Sequence, residues 1–342
     1  MSSRNMPSSG NEGAKSPEVR RILILKWGAL GDLVAATPAI KAIRQAFPRA
    51  KITLFSNPPY EEIAPAGTLT DEVILFKRHR EFCKLLVNIK THKWDAAFNL
   101  SWNSDRSAIL CYLSFAPLRV GSGGPGWLGF LYNRRVPPFA KNRHEIDRHL
   151  DIVRALGIPT GNVKPFTFIS EKAKQEAETG LRNLGISEKS LLIGIHPGAS
   201  SLEKSWGEEN YGWLGKEIIR RYQADLMVTW GPKEEQMATR VVLASGKRAF
   251  ISPQTIKVEN LAALISCCKI YICNCSGPMN VALALNTPIV ALLGTTLPEE
   301  WGTYGEAHRT LKSPTKKTQD IPRDLVLQVI GELLEKQGYK PW

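Results

Sequence analysis

Residues 269–305, KIYICNCSGPMNVALALNTPIVALLGTTLPEEWGTYG, carry the signals for a strand, a turn, a helix and a second strand in direct succession. Residues 270–273 are apolar and rich in β-formers, which predicts a buried strand. Residues 274–278 break that strand, and Pro278 suits the first turn of a helix predicted over 279–285. Residues 286–288, Asn-Thr-Pro, end the helix before an apolar strand at 289–293. The stretch therefore predicts a βαβ unit of a parallel sheet.

Two turns of this unit lie at the edge of the sheet where ligands bind. In parallel sheets, ligands bind beyond the carboxyl ends of the strands, where helix N-termini offer unpaired N–H groups to anions. Residues 276–278 and 294–296 are turns that follow such strands. We expect a phosphate or sugar site there; the alternative is that both are only tight turns.

The length and the hydropathy pattern of the chain limit the classes of protein to which it can belong. At 342 residues the chain predicts two domains of about 150 residues each. It contains no apolar run of the roughly 18 residues that a membrane span needs. Residues 1–17 are typical of a disordered tail rather than of a signal sequence. We therefore expect a cytoplasmic protein.

The net charge of +13 is concentrated in the N-terminal half. Residues 1–180 carry 26 Lys and Arg against 16 Asp and Glu, or +10, while residues 181–342 carry 19 against 16, or +3. Such a surface attracts nucleic acid, an anionic membrane face or a phosphorylated substrate, and charge alone does not choose among them. A solvated basic face without a partner is the remaining alternative.

Six cysteines are present, four of them within residues 267–275. Their spacing matches neither a disulfide framework nor the paired spacing of a zinc site. Cys267 and Cys268 are predicted at a helix end, and Cys273 and Cys275 on a strand and its turn. That separation argues against a shared metal cluster.

The first strand of the chain is also followed by a glycine-rich turn and a helix. Residues 21–25 predict a buried strand, and an amphipathic helix is predicted over residues 33–47. Between them, Gly28 and Gly31 lack the G-x-G-x-x-G order of a dinucleotide site, so a nicotinamide cofactor has little support. Asp32, at the junction of turn and helix, is either an N-cap or a base or ligand at the mouth of the sheet.

Strands and helices alternate along the rest of the chain, which predicts two doubly wound parallel domains. We expect a disordered tail at 1–17, an N-terminal domain at 18–170, a C-terminal domain at 171–320, and a final helix and tail at 321–342. Residues 121–143 are rich in Gly and Pro and contain Trp127, Phe130 and Tyr132. They are predicted to form a long surface loop.

Four motifs occur in order along the chain. They are Lys26-x-Gly28-x-x-Gly31-Asp32, His196-Pro197-Gly198 with Lys204-x-Trp206, Trp230-Gly231-Pro232 with Glu234, and Asn274-x-Ser276-Gly277-Pro278-Met279. Together they resemble glycosyltransferase family 9, the ADP-heptose:lipopolysaccharide heptosyltransferases of Gram-negative bacteria. The resemblance covers about residues 20–335 and implies an α/β GT-B fold, in which two Rossmann-like doubly wound domains face a central cleft. It implies that the acceptor binds on the N-terminal domain and the nucleotide-sugar on the C-terminal domain.

The resemblance implies a role for each motif. Asp32 corresponds to the base that an inverting transfer needs. Glu234 or Glu235 corresponds to a ribose-binding carboxylate, and a solvated acidic helix start is the alternative for whichever is not used. No cofactor and no metal are implied, because the nucleotide-sugar is a substrate and the chain has no D-x-D sequence. The other implied residues are Lys204, Ser200, Ser276, Gly277, Pro278 and Met279 at the donor phosphates, Trp230 and Gly231 at the ribose or base, and Gly31, Cys275 and Asn280 facing the sugar.

Two positions depart from the family pattern Asn-Asp-Ser/Thr-Gly-x-x-His. Cys275 stands in place of the acid and Asn280 in place of the histidine. A thiol cannot accept sugar hydroxyls as a carboxylate does. The departures therefore bear on which sugar is bound, while Asp32, Lys204 and the turn glycines are intact.

We expect a metal-independent inverting glycosyltransferase that moves a sugar, with ADP-heptose the favoured donor, to a lipopolysaccharide core or related glycolipid. The acceptor would lie at the inner-membrane surface, where the basic N-terminal half would meet anionic lipid. The alternative is a relative that binds a nucleotide-sugar with altered donor specificity or without turnover. A nucleic-acid-binding protein is disfavoured, because no nucleic-acid motif accompanies the scattered basic residues.

Overall fold

The computed structural model describes residues 19–76, 82–101, 104–122, 127–137, 139, 142–161, 163–255 and 257–342, without the side chains of residues 82–85 and 127. The predicted tail at residues 1–17 lies outside the described residues. The elements of the first half are β1 (Arg21–Leu25), α1 (Leu30–Ala46), β2 (Lys51–Ser56), α2 (Tyr60–Ile63), β3 (Glu72–Leu75), α3 (Phe82–Lys90), β4 (Ala96–Asn99), α4 (Asp105–Leu113), β5 (Leu118–Ser122), β6 (Arg134–Val136) and α5 (Glu145–Arg154).

The second half repeats the alternation of strands and helices, and the predicted βαβ unit at its centre is confirmed. Its elements are α6 (Glu171–Asn183), β7 (Leu192–His196), α7 (Glu208–Tyr222), β8 (Asp225–Val228), α8 (Glu235–Ser245), β9 (Ala249–Ile251), α9 (Val258–Ser266), β10 (Ile270–Asn274), α10 (Gly277–Ala284), β11 (Ile289–Leu293), α11 (Pro298–Trp301), β12 (Arg309–Lys312) and α12 (Arg323–Lys336).

Each half forms a parallel six-stranded sheet of the doubly wound kind. The strand order is β3-β2-β1-β4-β5-β6 in the first sheet and β9-β8-β7-β10-β11-β12 in the second. The order reverses between β1 and β4, and again between β7 and β10. At such a switch point the loops that follow the two strands diverge to opposite faces, which leaves a crevice for ligands.

The central strands are buried along nearly their whole length because helices cover both faces of each sheet. This burial explains the continuous apolar runs of β1, β10 and β11. On one face of the first sheet, α1 and α5 pack together, and α1 also packs against α10 of the second half. As a result, one buried apolar cluster extends without interruption from Ile22 and Ile24 in β1 to Val281 in α10 and Ile289 in β11.

The prediction of a long surface loop over residues 121–143 is wrong for much of the part that the structure describes; residues 123–126, 138, 140 and 141 lie outside the described residues. β5 ends inside this stretch, a 3₁₀ helix spans Trp127–Leu131, and β6 adds the edge strand of the sheet. Tyr132 is buried, and its hydroxyl accepts a hydrogen bond of 2.6 Å from Asn99 Nδ2. The glycine at 121 is required by close packing, since a Cβ there would overlap the Tyr132 ring. Gly121 therefore serves packing against Tyr132.

The last helix, α12, packs against α7, β10 and β11 of the second sheet. It thus completes the helical layer of the C-terminal half instead of standing apart from it. The segment between α5 and α6 is held against α1, because the Phe166 N–H donates a hydrogen bond of 2.8 Å to Thr37 Oγ1. The two halves are joined directly at Glu62, whose carboxylate accepts 2.7 Å from the Val258 N–H. No helix within the described ranges is long and apolar enough to cross a membrane.

Candidate active site

A cleft of about 830 Å³ lies between the two sheets. Its first wall is the start of α1, with Leu30, Gly31 and Asp32, and its second wall is formed by the loops that follow β7, β8, β10 and β11. The second wall is centred on the β7–β10 switch point. The structure therefore brings the predicted turn at residues 276–278 and Asp32, which are more than 240 positions apart in sequence, to a single cavity.

Asp32 is not the N-cap that the sequence alternative proposed. Helix α1 begins at Leu30, three residues earlier than predicted, so Asp32 lies in the first turn. Its Oδ2 accepts a hydrogen bond of 2.9 Å from the Ala29 N–H, which caps the helix from inside. The carboxylate faces the cleft, and no other hydrogen bond to it is found among the described residues. One carboxylate oxygen is thus anchored while the other faces the cavity.

Gly28 allows this arrangement of the turn. Its φ of +153° lies in a region that L side chains rarely adopt. A Cβ at this position would also lie only 2.7 Å from the Asp32 Cβ. Its N–H donates 2.9 Å to Asn57 Oδ1, and its carbonyl accepts from Asn57 Nδ2 at 3.0 Å. Glycine at 28 is therefore needed for Asp32 to fold back over the turn.

The Asn274 side chain holds the loops of the second wall together. It is fully buried at the end of β10, and its Nδ2 donates to the carbonyls of Pro197 at 2.9 Å and Gly198 at 3.1 Å. Its Oδ1 accepts 3.0 Å from the Trp206 N–H. One side chain therefore joins the β7 loop, the segment that carries Lys204, and the turn before α10.

The predicted phosphate turn forms the N-terminus of α10. Ser276 is the N-cap residue, and its side chain makes no capping bond. Gly277 and Pro278 start the helix. Pro278 has no N–H, and the Met279 N–H donates 3.2 Å to the Ser276 carbonyl, so the features that favour an anion here are the Gly277 N–H and the positive end of the helix dipole. Ser276, Gly277 and Pro278 all line the cleft. A Cβ on Gly277 would meet Leu30 of α1 at 2.7 Å, so the N-termini of α1 and α10 face each other closely.

Lys204 and Cys275 lie on the same side of this turn. Both line the cleft, together with Thr296 from the loop after β11 and with exposed Ser200 at the rim. Burial raises the pKa of the Cys275 thiol, while a hydrogen bond with Thr296 and the charge of Lys204 oppose that shift. The thiol is therefore protonated near neutral pH, and it gives this wall no negative charge.

Of the two predicted ribose carboxylates, only Glu234 reaches the cleft. Its Oε2 accepts 2.7 Å from the Gly231 N–H and lies 3.5 Å from His196 Nε2. A Cβ on Gly198 would overlap this carboxylate. Glu235 begins α8, is exposed and does not line the cavity, which matches the alternative of a solvated acidic helix start.

His196 is a site residue that sequence reasoning noted only as part of a motif. It ends β7, and burial lowers its pKa, while Glu234 and Thr229 oppose the shift. Its Nδ1 lies 3.2 Å from Thr229 Oγ1. His196 is therefore a neutral ring beside the Glu234 carboxylate, not an ion-pair partner for it. Trp230, on the same wall, lines the cleft and donates 3.1 Å from its indole N–H to the Ser252 carbonyl.

The side chains of Met279 and Asn280, which follow the predicted phosphate turn, lie in different environments. Met279, which was predicted at the donor phosphates, is 1% exposed, and its side chain packs in the apolar core. The helix turns this position inward, away from the cavity. Asn280 lines the cleft, donates 3.3 Å to the Ser276 carbonyl, and would lie 2.8 Å from a Cβ on Gly31.

Comparisons with known proteins give a consistent family assignment. A family model described as glycosyltransferase family 9 (heptosyltransferase) matches residues 82–328. Lipopolysaccharide heptosyltransferase 2 of Salmonella typhimurium is 26% identical, with 93% of this chain and 99% of that protein covered.

Solved structures show the same fold. A glycosyl transferase family 9 protein from Veillonella parvula superposes with a TM-score of 0.83 at 23% identity, covering 95% of this chain and 100% of the other. The E. coli ADP-heptose LPS heptosyltransferase II gives a TM-score of 0.76 at 22% identity, covering 93% and 99%. The fold is therefore GT-B, as predicted.

Replacing Asn274 tests its organising role. Asn274→Ala should lower the free energy of unfolding by about 3 kcal/mol, because each buried group left without a partner costs about 1–3 kcal/mol. Asn274→Asp should be at least as damaging, since a carboxylate oxygen would face the Pro197 and Gly198 carbonyls. Urea denaturation measures the change, and a loss below about 1 kcal/mol for both variants would contradict the assigned role.

Replacing Lys204 tests its predicted place at the donor phosphates. Lys204→Ala should weaken binding of ADP by about 1.5–3 kcal/mol, the range for a charged hydrogen bond. Lys216→Ala, at an exposed position on α7 outside the cleft, is the matched control and should leave affinity unchanged. Isothermal titration measures both, and equal affinities for the two variants would remove Lys204 from the phosphate site.

Proposed function

We propose a function from the premise that this chain belongs to glycosyltransferase family 9. Membership makes it a glycosyltransferase of the heptosyltransferase family of lipopolysaccharide core biosynthesis. The finer proposal is that it transfers heptose from ADP-heptose, with inversion, to a lipopolysaccharide core or related glycolipid. One observation carries it: a carboxylate on the first domain, Asp32, shares a cleft with Lys204 and the α10 N-terminus on the second.

Each wall of the cleft has a role in the proposed transfer. Asp32 takes the proton of the acceptor hydroxyl, and the freed oxygen attacks the anomeric carbon from the face opposite the leaving group. The bond between that carbon and the diphosphate oxygen breaks, so ADP leaves with its electron pair and the anomeric configuration inverts. Lys204 and the positive end of the α10 dipole stabilise the negative charge that develops on the diphosphate.

The remaining residues of the second wall hold the nucleoside part of the donor. Glu234 accepts hydrogen bonds from ribose hydroxyls, and the Trp230–Gly231 loop borders the base. No metal is required in this proposal, because Lys204 and the helix N-terminus supply positive charge and the sequence has no D-x-D metal motif. Location at the inner-membrane surface, through the basic N-terminal half, stays part of the proposal.

A second candidate function follows from Cys275. The thiol is protonated and cannot accept sugar hydroxyls as the family's carboxylate would. Asn280 likewise places an amide, already bonded to the Ser276 carbonyl, at the other departing position. This favours as the alternative a protein that takes a different sugar-nucleotide, or that binds one without turnover.

Asp32→Asn tests the base directly. Asparagine keeps the shape and can still accept the Ala29 N–H, but it cannot take a proton at neutral pH. Turnover should fall roughly 100- to 10,000-fold, the usual effect of losing a general base, while donor affinity barely changes. The rate is measured as ADP release in the presence of acceptor.

The matched control for this variant is Asp105→Asn. Asp105 also lies in the first turn of a helix, α4, but it is exposed and outside the cleft. It should retain full turnover. Near-normal turnover by Asp32→Asn would reduce Asp32 to a helix-capping residue.

The double variant Cys275→Asp with Asn280→His decides between the two candidate functions. It restores a charged acceptor worth about 1.5–3 kcal/mol per bond. If ADP-heptose is the natural donor, the variant should bind it more tightly and turn over faster. A panel of nucleotide-sugars is assayed on both proteins; loss of activity with some other donor would support altered specificity, and inactivity of both proteins would support binding without turnover.

A further inference from the structure

The loop after β11 carries a tryptophan across the boundary between the two halves. Trp301 is the last residue of α11, which belongs to the C-terminal half. A Cβ on Gly31 would lie 3.6 Å from Trp301 Cζ3, so the indole lies against the first turn of α1. The ring is half-buried and packs on the apolar cluster that both halves share. An aromatic side chain of the C-terminal half therefore lies next to the helical turn that carries Asp32.

Trp301 also lies at the boundary between the main cleft and a second, smaller cavity. The second cavity has a volume of about 340 Å³ and lies beside the ends of β1 and β4, where Trp27 and Ser101 line it. Asp32 and Trp301 line both cavities. The indole is thus one of the groups that surround the proposed base.

The residues after Trp301 are fastened to the start of α5. His144, the N-cap of α5, accepts a hydrogen bond of 3.3 Å at Nδ1 from the Ile146 N–H. Its Nε2 therefore carries the proton and donates 2.9 Å to the Gly302 carbonyl. The rings of His144 and Tyr304 meet edge to face, with their centroids 5.5 Å apart. Two contacts thus hold this side of the tryptophan to the N-terminal half.

Arg148 holds the residue that precedes the tryptophan. Its guanidinium lies 3.3 Å from Glu300 Oε1 and 3.1 Å from Glu145 Oε2. Glu145 in turn belongs to a buried group, in which His149 Nε2 lies 3.4 Å from Glu145 Oε1 and 3.2 Å from Lys26 Nζ. Partly buried ion pairs are screened less by salt than surface pairs are. The contact between Arg148 and Glu300 therefore rests on a fixed base inside the N-terminal half.

A carboxylate beside an anomeric carbon does not by itself distinguish a sugar hydroxyl from water. Water can give its proton to Asp32 while its oxygen attacks that carbon and the bond to the diphosphate breaks. The products are then the free sugar and ADP, and the donor is lost. A cleft of about 830 Å³ has room for many water molecules. Transfer without this loss requires that water be kept from the base, which closure of a site achieves.

We propose that Trp301 excludes water from the Asp32 carboxylate and thereby makes the protein select an acceptor hydroxyl over water. This inference rests on the proposed function and adds to it the residue that separates transfer from hydrolysis. The indole has a single N–H donor and no acceptor, so its faces offer water no hydrogen bond. Trp301 takes no part in proton transfer and is a specificity-determining residue.

The test measures hydrolysis and transfer separately in the full-length protein. Hydrolysis is the rate of ADP release from ADP-heptose without acceptor, and transfer is the rate of modification of heptose-deficient lipopolysaccharide. Trp301→Ala should raise the ratio of hydrolysis to transfer at least about tenfold, because water gains access to the base. Trp301→Phe keeps a ring against Gly31 and should stay within about threefold of the wild-type ratio.

A purely structural role for Trp301 predicts a different result. If the ring only joined the two halves, its loss would lower Tm and slow hydrolysis and transfer together, so their ratio would stay near the wild-type value. Water exclusion predicts in addition that the new hydrolysis needs the same base. Adding Asp32→Asn to Trp301→Ala should therefore remove it.

Two further variants complete the comparison. Trp213→Ala, at a half-buried position on α7 outside both cavities, is the matched control and should leave the ratio unchanged. Trp301→Gln replaces the ring with an amide that binds water, and it should raise the ratio as Trp301→Ala does. It serves as the decisive variant if Trp301→Ala unfolds.

The outcomes for Trp301 and for the proposed function differ. Wild-type transfer with an unchanged ratio in the folded Trp301→Ala or Trp301→Gln variant would overturn water exclusion alone, as would new hydrolysis that persists after Asp32→Asn. A wild-type protein that transfers nothing, while Trp301→Ala hydrolyses ADP-heptose through Asp32, would uphold water exclusion and refute the proposed transfer. Inactivity of the wild-type protein and of every variant would overturn both.

Discussion

The second wall of the cleft depends on the hydrogen bonds of the Asn274 side-chain amide. Its hydrogen bonds to the Pro197 and Gly198 carbonyls and to the Trp206 N–H join segments that lie about 70 positions or more apart in sequence. Each partner is a buried backbone group, and a buried backbone group without a partner is costly. Because Lys204 precedes Trp206 by two residues and Ser276 follows Asn274 by two, the same amide sets the separation of the lysine from the α10 N-terminus. The proposed phosphate site is therefore positioned by a residue that does not line the cleft.

The facing N-termini of α1 and α10 set a second constraint, at the domain boundary. Gly277 contacts Leu30, and Gly31 contacts Asn280, with too little space for an added Cβ in either case. These glycines allow Asp32 and the phosphate turn to lie on opposite sides of a narrow gap. The contact also bears on the family departures, because any side chain at 280 must fit against the Gly31 backbone. The side chain of Asn280 is therefore constrained by the space beside Gly31 as well as by its hydrogen-bonding chemistry.

Local patterns predicted the elements that are long, apolar or marked by strong breakers, such as the unit from Ile270 to Leu293. They did not predict β6, because its three residues lie among glycines and prolines and are identified only by pairing with β5. Asp32 was noted from its place after a strand, whereas the role of Glu234 was implied by the family resemblance, and both line the cleft. The choice between Glu234 and Glu235 depends on the helix start, which sequence places only within a few residues. The contact of Lys26 with His149 spans 123 positions, and no local signal reports it.

The apolar cluster that runs from β1 through α1 and α10 into β11 has a consequence for how the molecule loses its structure. Separating the halves would expose the buried faces of α1 and α10 to water, a cost that grows with the apolar area exposed. Each half also holds an apolar cluster of its own, but the cluster that contains α1 and α10 belongs to both halves. Cooperativity should therefore extend across both sheets, and heating should give a single transition rather than two. A chain that looks like two domains in its topology would then be one unit in its thermodynamics.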